Sequence, residues 1–106
     1  MPKYLFMGSY TKDGVQGLLR EGGTKRRQMA ARALESVGGK LEAFYFAFGE
    51  NDVVGIAEVP DNAGIAALSL AISSAGGFNF KTTVLLTPEE MDQAVRKEVN
   101  YSPPGR

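Results

Sequence analysis

The fold is decided by the middle of the chain, where residues 41–59 read LEAFYFAFGENDVVGIAEV. Residues 41–48 and 53–59 are rich in aromatic and β-branched side chains, as strands usually are. The segment GEND at residues 49–52 lies between them and has the composition of a hairpin turn. The stretch therefore predicts two adjacent antiparallel strands.

One strand and one helical segment precede this hairpin, and one helix and one strand follow it. Residues 4–10 are aromatic and apolar, and residues 15–37 have a helical pattern that two glycines at 22–23 weaken. A second helix, opened by the segment PDN at 60–62, is expected to run to about residue 75, and a fourth strand is expected over residues 78–86. The order strand, helix, strand, strand, helix, strand is the split βαβ arrangement. We predict a ferredoxin-like α+β fold, with a four-stranded antiparallel sheet and two helices on one of its faces.

A third helix is expected after the last strand. The segment TPEE at residues 87–90 places Thr at the cap, Pro in the first turn and Glu three residues after the cap, which is a strong helix start. We predict a single domain over residues 1–99. Residues 100–106 form a tail that is either flexible or latches onto a neighbouring subunit.

The composition excludes several classes of function. Twelve basic residues balance twelve acidic ones, so no strong field favours nucleic acid or an anionic membrane as a partner. The chain has no cysteine and no histidine, which excludes disulfides, thiolate catalysis, a histidine base and histidine-liganded metals. We expect no metal and no cofactor. The lack of cysteine fits a reducing cytosol, and the first residues lack the pattern of a signal segment, so a cytoplasmic location is expected.

The faces of the predicted sheet indicate an oligomer. Aromatic residues occur in both alternating sets of the strand at 41–48, and the strand at 4–10 is largely apolar on both sides. A sheet face in contact with water would show a polar side, and large exposed apolar patches usually mark an interface. We expect a homodimer or higher homo-oligomer formed through the sheet face. The alternative is that the third helix folds over the open face of its own chain.

The best candidate for a ligand site is the basic cluster of the first helical segment. If residues 15–37 form one helix, Arg26 lies close to the middle of the apolar side and Arg27 lies at its edge. Gly22 and Gly23 lie one turn earlier on that side and would leave space beside the positive charge. Such a pocket would suit a carboxylate, phosphate or enolate. Two other interpretations remain open: a broken helix leaves the cluster in solvent, or an arginine pairs with the acidic last helix.

Side chains of the predicted sheet could complete this pocket. Tyr4, Tyr10 and Tyr45 lie on strands, and a phenol can orient a ligand or donate a proton. Aromatic residues on strands are also ordinary core residues. Asp52 in the hairpin is a candidate catalytic base and Tyr10 a candidate acid, although aspartate is also common in turns.

The sequence resembles the GYD domain family over nearly its whole length. The segments that carry the resemblance are YT at 10–11, GGTKRR at 22–27, GGKLEAFYFAFG at 38–49, PDN at 60–62 and TT at 82–83. In the Gly/Tyr/Asp motif that names the family, Gly49 and Asp52 match, whereas Asn51 stands at the tyrosine position. The resemblance implies a fold similar to that of dimeric α/β-barrel proteins, which include monooxygenases, isomerases, decarboxylases and haem enzymes. It implies no particular reaction, and the lack of histidine argues against haem ligation.

Two classes of function follow from these observations. The first is a small-molecule binding protein or cofactor-free enzyme, in which Arg26 or Arg27 holds an anionic group, Tyr10 or Tyr45 orients it and Asp52 acts as base. The alternative is an oligomeric assembly or interaction protein without a catalytic pocket, which the apolar sheet faces favour. A nucleic-acid role is disfavoured because the basic cluster is short.

Overall fold

The computed structural model describes the whole chain, Met1–Arg106, as one four-stranded sheet and four helices. The strands are β1 (Lys3–Tyr10), β2 (Lys40–Phe46), β3 (Val53–Glu58) and β4 (Phe78–Leu85). The helices are α1 (Lys12–Glu21), α2 (Gly23–Glu35), α3 (Asn62–Ala75) and α4 (Pro88–Val95). All neighbouring strands are antiparallel, in the order β2-β3-β1-β4. This topology confirms the predicted ferredoxin-like α+β class.

The first helical segment is broken into two helices. Gly22 lies between α1 and α2 with a φ of 82°, a left-handed conformation that interrupts an α-helix and that glycine adopts readily. Its backbone N–H donates to the carbonyl oxygen of Leu18 at 2.8 Å and so ends α1. The helical phase does not continue across this joint, and Leu19, which a continuous helix would place on the apolar side, is 80% exposed. Residues 15–37 therefore form a broken helix and not the single continuous helix that the sequence also allowed.

The core lies between the sheet and helices α2 and α3. Most of its strand residues alternate along β1 and β3 and therefore share one sheet face. The core residues are Tyr4, Phe6, Leu34, Val53, Ala57, Val59, Ile65 and Leu68. Tyr4 is 1% exposed, and its hydroxyl donates a hydrogen bond to Asn62 Oδ1 at 2.7 Å. The phenol of Tyr4 is therefore a satisfied core group and is not available to a ligand.

The opposite side of the sheet, termed the open face, contains no buried residue. Its centre is aliphatic and is formed by Leu5 and Met7 of β1 and Val54 and Ile56 of β3, which alternate with the core residues. Each of the four is only partly buried. The sheet thus has one packed face and one apolar face without a packed layer.

An irregularity in β2 determines the side on which its aromatic residues lie. The pairing of β2 with β3 shifts between Leu41 and Ala43, so Leu41 shares a face with Phe44 and not with Ala43 and Tyr45. Phe44 packs towards the core, with its ring centroid 6.3 Å from that of Phe6. Almost all aromatic residues of the strands therefore lie on the core side. Tyr45 is the only aromatic residue that the strands place on the open face.

Helix α4 projects away from the sheet, and every residue in the range 86–106 is exposed. Its start is as predicted: Thr87 Oγ1 accepts the Glu90 N–H at 3.1 Å, and Glu90 Oε1 accepts the Thr87 N–H at 3.0 Å. Its apolar side, which includes Met91 and Val95, is exposed. The alternative in which this helix covers the open face of its own chain is therefore wrong. No helix has the length and apolar character needed to cross a membrane.

Candidate functional site

A cavity of about 210 Å³, termed the α2 cavity, lies between the sheet and helices α2 and α3. Its sheet side is aromatic and is formed by Phe6, Tyr10, Phe44, Phe78 and Phe80. Its helix side is formed by Arg26, Met29, Ala30, Ala33 and Leu34 of α2 and by Leu68 and Ile72 of α3. Arg26 is the only charged residue in this wall.

Small side chains on α2 create the space. Ala30 and Ala33 follow Arg26 at the i+4 and i+7 positions, so all three lie on the same side of the helix. Leu34 is buried beside them in the core. Protein interiors are normally close-packed, and two alanines in place of larger apolar residues leave space between helix and sheet unfilled. The side of α2 on which Arg26 lies depends only on residues within α2. The break at Gly22 therefore does not move Arg26 away from the cavity.

Aromatic rings form a continuous wall on the sheet side. The Phe6 ring is central, with its centroid 5.8 Å from that of Phe80 and 6.3 Å from that of Phe44. Phe78 extends the row, with its centroid 6.4 Å from that of Phe80. Aromatic pairs attract one another at these separations. The strand β3 lies between Phe44 and Phe6, and it admits the Phe6 ring because Gly55 has no Cβ to collide with it.

Arg26 provides the polar feature of the cavity. Its Nε atom is buried and has no hydrogen-bond partner. The ion-pair partner of Arg26 is Glu21 of α1, whose Oε1 lies 3.7 Å from Nε, beyond hydrogen-bond distance. The two side chains are 30% and 36% exposed, so this pair contributes little to stability. A buried N–H without an acceptor destabilises a protein by about 1–3 kcal/mol, and an anion that reached this atom would remove that penalty.

Tyr10 and Asp52 meet at the end of β1. The Tyr10 ring lines the cavity and packs edge-on against Phe78, with the ring centroids 5.0 Å apart. Burial raises the pKa of the Tyr10 phenol, the Arg26 charge opposes this, and the carboxylates of Asp52 and Glu21 add to it. The phenol therefore remains protonated at neutral pH and can donate a hydrogen bond. Asp52 does not line the cavity, and its Oδ2 accepts the backbone N–H of Tyr10 at 2.9 Å.

The sequence profile of the GYD domain family matches residues 4–95. The chain belongs to the GYD domain family. The resemblance carried by the sequence segments is thereby confirmed. No curated protein and no solved structure matches the chain. The whole α2 cavity lies within the matched part of this GYD domain.

Four predicted ligand residues of the GYD domain lie outside the α2 cavity. Arg27 lines a separate pocket on another side of α2, together with Thr24, Gln28, Ala31 and Leu41. Gly22 and Gly23 form the joint between α1 and α2, where the Phe46 ring lies against Gly23. Tyr45 is on the open face and is 71% exposed, because consecutive side chains of a strand point to opposite faces. Of the predicted ligand residues, the α2 cavity therefore brings together only Arg26 and Tyr10.

The basic cluster divides between the interpretations that the sequence left open. Lys25 and Arg27 are exposed, as the solvated interpretation predicts. Arg26 lines the cavity, as the pocket interpretation predicts. Its ion pair is with Glu21 of α1, and no residue of α4 takes part in an ion pair. The interpretation that pairs the cluster with the last helix is therefore wrong.

The residues that shape the cavity were not predicted from the sequence. Ala30 and Ala33 could have been found from the sequence, because their helical spacing from Arg26 places them on the same side of α2. The aromatic wall could not have been, because it depends on which strands are neighbours. Nowhere do three or more carboxylate side chains come together in a way that could hold a metal ion.

Proposed function

We propose that this GYD domain binds a small organic anion in the α2 cavity, with Arg26 as the charged contact. The observation that carries the proposal is that Arg26, the only charged residue of the cavity wall, has a buried Nε–H group without an acceptor. Carboxylate and enolate oxygens are strong acceptors for a guanidinium. The remaining wall is suited to an apolar body, so the proposed ligand is an amphipathic anion.

Binding is the activity that the cavity wall supports best. Apart from Arg26, Tyr10 is the only lining residue with a readily exchangeable proton. No carboxylate lines the cavity, and the Asp52 carboxylate already accepts a backbone N–H. General acid–base catalysis needs a base within reach of the substrate. We therefore infer a binding protein, in which the Tyr10 hydroxyl is a second polar contact for the anion.

Replacing Arg26 with glutamine is expected to weaken the binding of small carboxylates by about 10-fold or more, because hydrogen bonds to charged groups contribute about 1.5–3 kcal/mol. The measurement is an NMR titration of the ¹⁵N-labelled protein with hexanoate and with benzoate. Arg27→Gln is the matched control, because it removes the same charge one residue away, outside the cavity. We expect its affinity to match that of the wild type.

Equal losses in the two variants would indicate a general charge effect and would contradict the proposed site. Unchanged binding in the Arg26 variant would also contradict it. A denaturant titration of both variants checks that the fold is retained, since an arginine can also contribute through packing of its stem.

Replacing Glu21 with glutamine is expected to strengthen carboxylate binding by up to about fivefold. The Glu21 carboxylate is the ion-pair partner of Arg26, so an anionic ligand competes with it, and exposed pairs of this kind contribute about 0.2–1 kcal/mol. The same NMR titration measures the gain. Glu35→Gln is the control, because Glu35 lies at the other end of α2 and has no ion pair. Weaker binding after Glu21→Gln would show that Glu21 positions Arg26 for the ligand instead of competing with the ligand.

A second candidate function is assembly, and we propose that the open face forms a homodimer interface. The observation in its favour is the aliphatic centre of that face, which no layer of the chain covers. The radius of gyration is 16.9 Å, against about 13 Å for a compact domain of this size, because α4 and the tail extend from the body. Exposed apolar residues on such an extension are typical of contact with another chain. Assembly is compatible with ligand binding, since the α2 cavity lies on the other side of the sheet.

A further inference from the structure

The α2 cavity combines one cation with an unusually aromatic wall. We propose that its ligand is an aromatic monocarboxylate with a single six-membered ring, of the size of benzoate. This inference rests on the proposed anion-binding function and goes further, because it names the body of the ligand as well as its charge.

The volume of the cavity fits one ring and one small polar group. The cavity measures about 210 Å³, and an apolar cavity of about 150 Å³ is known to accommodate benzene. The difference leaves room for a carboxylate beside the ring. A body of two or three carbons would leave much of the apolar wall without contacts.

The wall favours an aromatic body over an aliphatic body of the same size. Phe44, Phe78 and Phe80 contribute rings on the sheet side, and Met29 places a thioether on the helix side. Phenylalanine rings attract another ring through edge-to-face and offset contacts that a saturated ring cannot make. Methionine sulfur also makes favourable contacts with aromatic rings. The existing edge-on pair of Tyr10 and Phe78 shows that this wall presents both faces and edges of rings.

The charge of the wall limits the ligand to one carboxylate. Arg26 is the only charged residue that lines the cavity, and Glu21 and Asp52 both lie close enough to the Tyr10 phenol to affect its pKa. A second carboxylate on the ring would be placed either among phenylalanine rings or beside these acidic groups. Both positions are unfavourable for an anion.

The test compares three ligands that differ in one property at a time, in NMR titrations of the full-length ¹⁵N-labelled protein. Benzoate and cyclohexanecarboxylate share charge and approximate size but differ in aromaticity. Benzoate and benzamide share the ring but differ in charge. We expect benzoate to bind at least about threefold more tightly than cyclohexanecarboxylate and about 10-fold more tightly than benzamide. The shifts should be largest at Ala30, Ala33 and Phe80.

The outcomes separate this inference from the proposed function. Equal affinities for benzoate and cyclohexanecarboxylate would overturn the aromatic class and leave anion binding intact. Equal affinities for benzoate and benzamide would overturn anion binding, and the monocarboxylate inference with it. If none of the three ligands gives a saturable shift up to about 10 mM, any binding is weaker than millimolar. That result would overturn both the anion-binding function and the aromatic class of ligand.

A substitution in the wall provides a second test. Phe80→Leu removes a ring and keeps an apolar side chain, so it should bring the affinity for benzoate down to that for cyclohexanecarboxylate. An unchanged preference for benzoate in a folded Phe80→Leu protein would overturn the role of the aromatic wall. If that variant does not fold, the comparison of the three ligands on the wild-type protein still decides the question.

Discussion

Replacing Ile56 with aspartate is expected to convert the proposed homodimer of the GYD domain into a monomer. Ile56 lies at the centre of the open face, paired with Leu5 of β1 on one side and Ala43 of β2 on the other. In a dimer through this face the new carboxylate would be buried without a partner, which is unfavourable by several kcal/mol. In a monomer the same carboxylate would face water. Light scattering coupled to gel filtration at micromolar concentration measures the change in mass.

Leu19→Asp provides the matched control for the Ile56 substitution. Leu19 is also apolar, but it is exposed on α1 and lies away from the open face. Its variant should keep the mass of the wild-type protein. Two results would contradict the proposed interface: a wild-type protein that is already monomeric, or an Ile56→Asp variant that retains the dimer mass. Circular dichroism of both variants verifies that a change in mass does not result from unfolding.

The fold could be predicted because its decisive signals are local. The cap at Thr87 requires a hydroxyl and a glutamate three residues apart, and both hydrogen bonds form as that spacing implies. Asp61 caps α3 in the same local way by accepting the Gly64 N–H at 2.8 Å. Glycines end α1 and α3. The order of elements follows from such signals, and this order is enough to select the split βαβ topology.

The faces of β2 could not be predicted, because one irregularity reverses the alternation. Period-two alternation places Leu41, Ala43 and Tyr45 together, but the register shift moves Leu41 to the side of Phe44. A sequence pattern does not show where such a shift falls, since it depends on the partner strand. The pattern alone therefore did not show that Leu41 lies on the same side as Phe44.

The site was predicted in part, for a reason that was only partly correct. A continuous helix over residues 15–37 predicts Arg26 on the apolar side, but that helix is broken at Gly22. The position of Arg26 within α2 nevertheless places it on the side that faces the cavity. Tyr10 was identified as a polar aromatic residue at the end of a strand, where the cavity does reach it. The aromatic wall joins Phe44 and Phe80, which are distant in sequence and meet on either side of Phe6 only because the sheet order is β2-β3-β1-β4.

Replacing Ala30 with leucine is expected to abolish ligand binding and to stabilise the unliganded protein by about 1–2 kcal/mol. Ala30 lies one turn after Arg26 and faces the α2 cavity, so a longer apolar side chain occupies the place of the ligand. The added carbon atoms contribute about 0.8 kcal/mol for each buried CH₂ group, less the loss of side-chain freedom. Urea unfolding measures the stability, and the benzoate titration measures the binding.

The opposite signs of these two effects distinguish a functional cavity from a packing defect. Natural proteins keep stabilising substitutions out of sites where function needs the space, so a filled cavity should gain stability and lose affinity together. Gln28→Leu is the control, since it adds a leucine on the exposed side of the same helix and should leave benzoate binding unchanged. If Ala30→Leu lowers stability while the fold is retained, helix and sheet do not hold this space open in solution. In that case the anion site proposed for the GYD domain would lose its structural basis, because Arg26 would then line no cavity in which a ligand could bind.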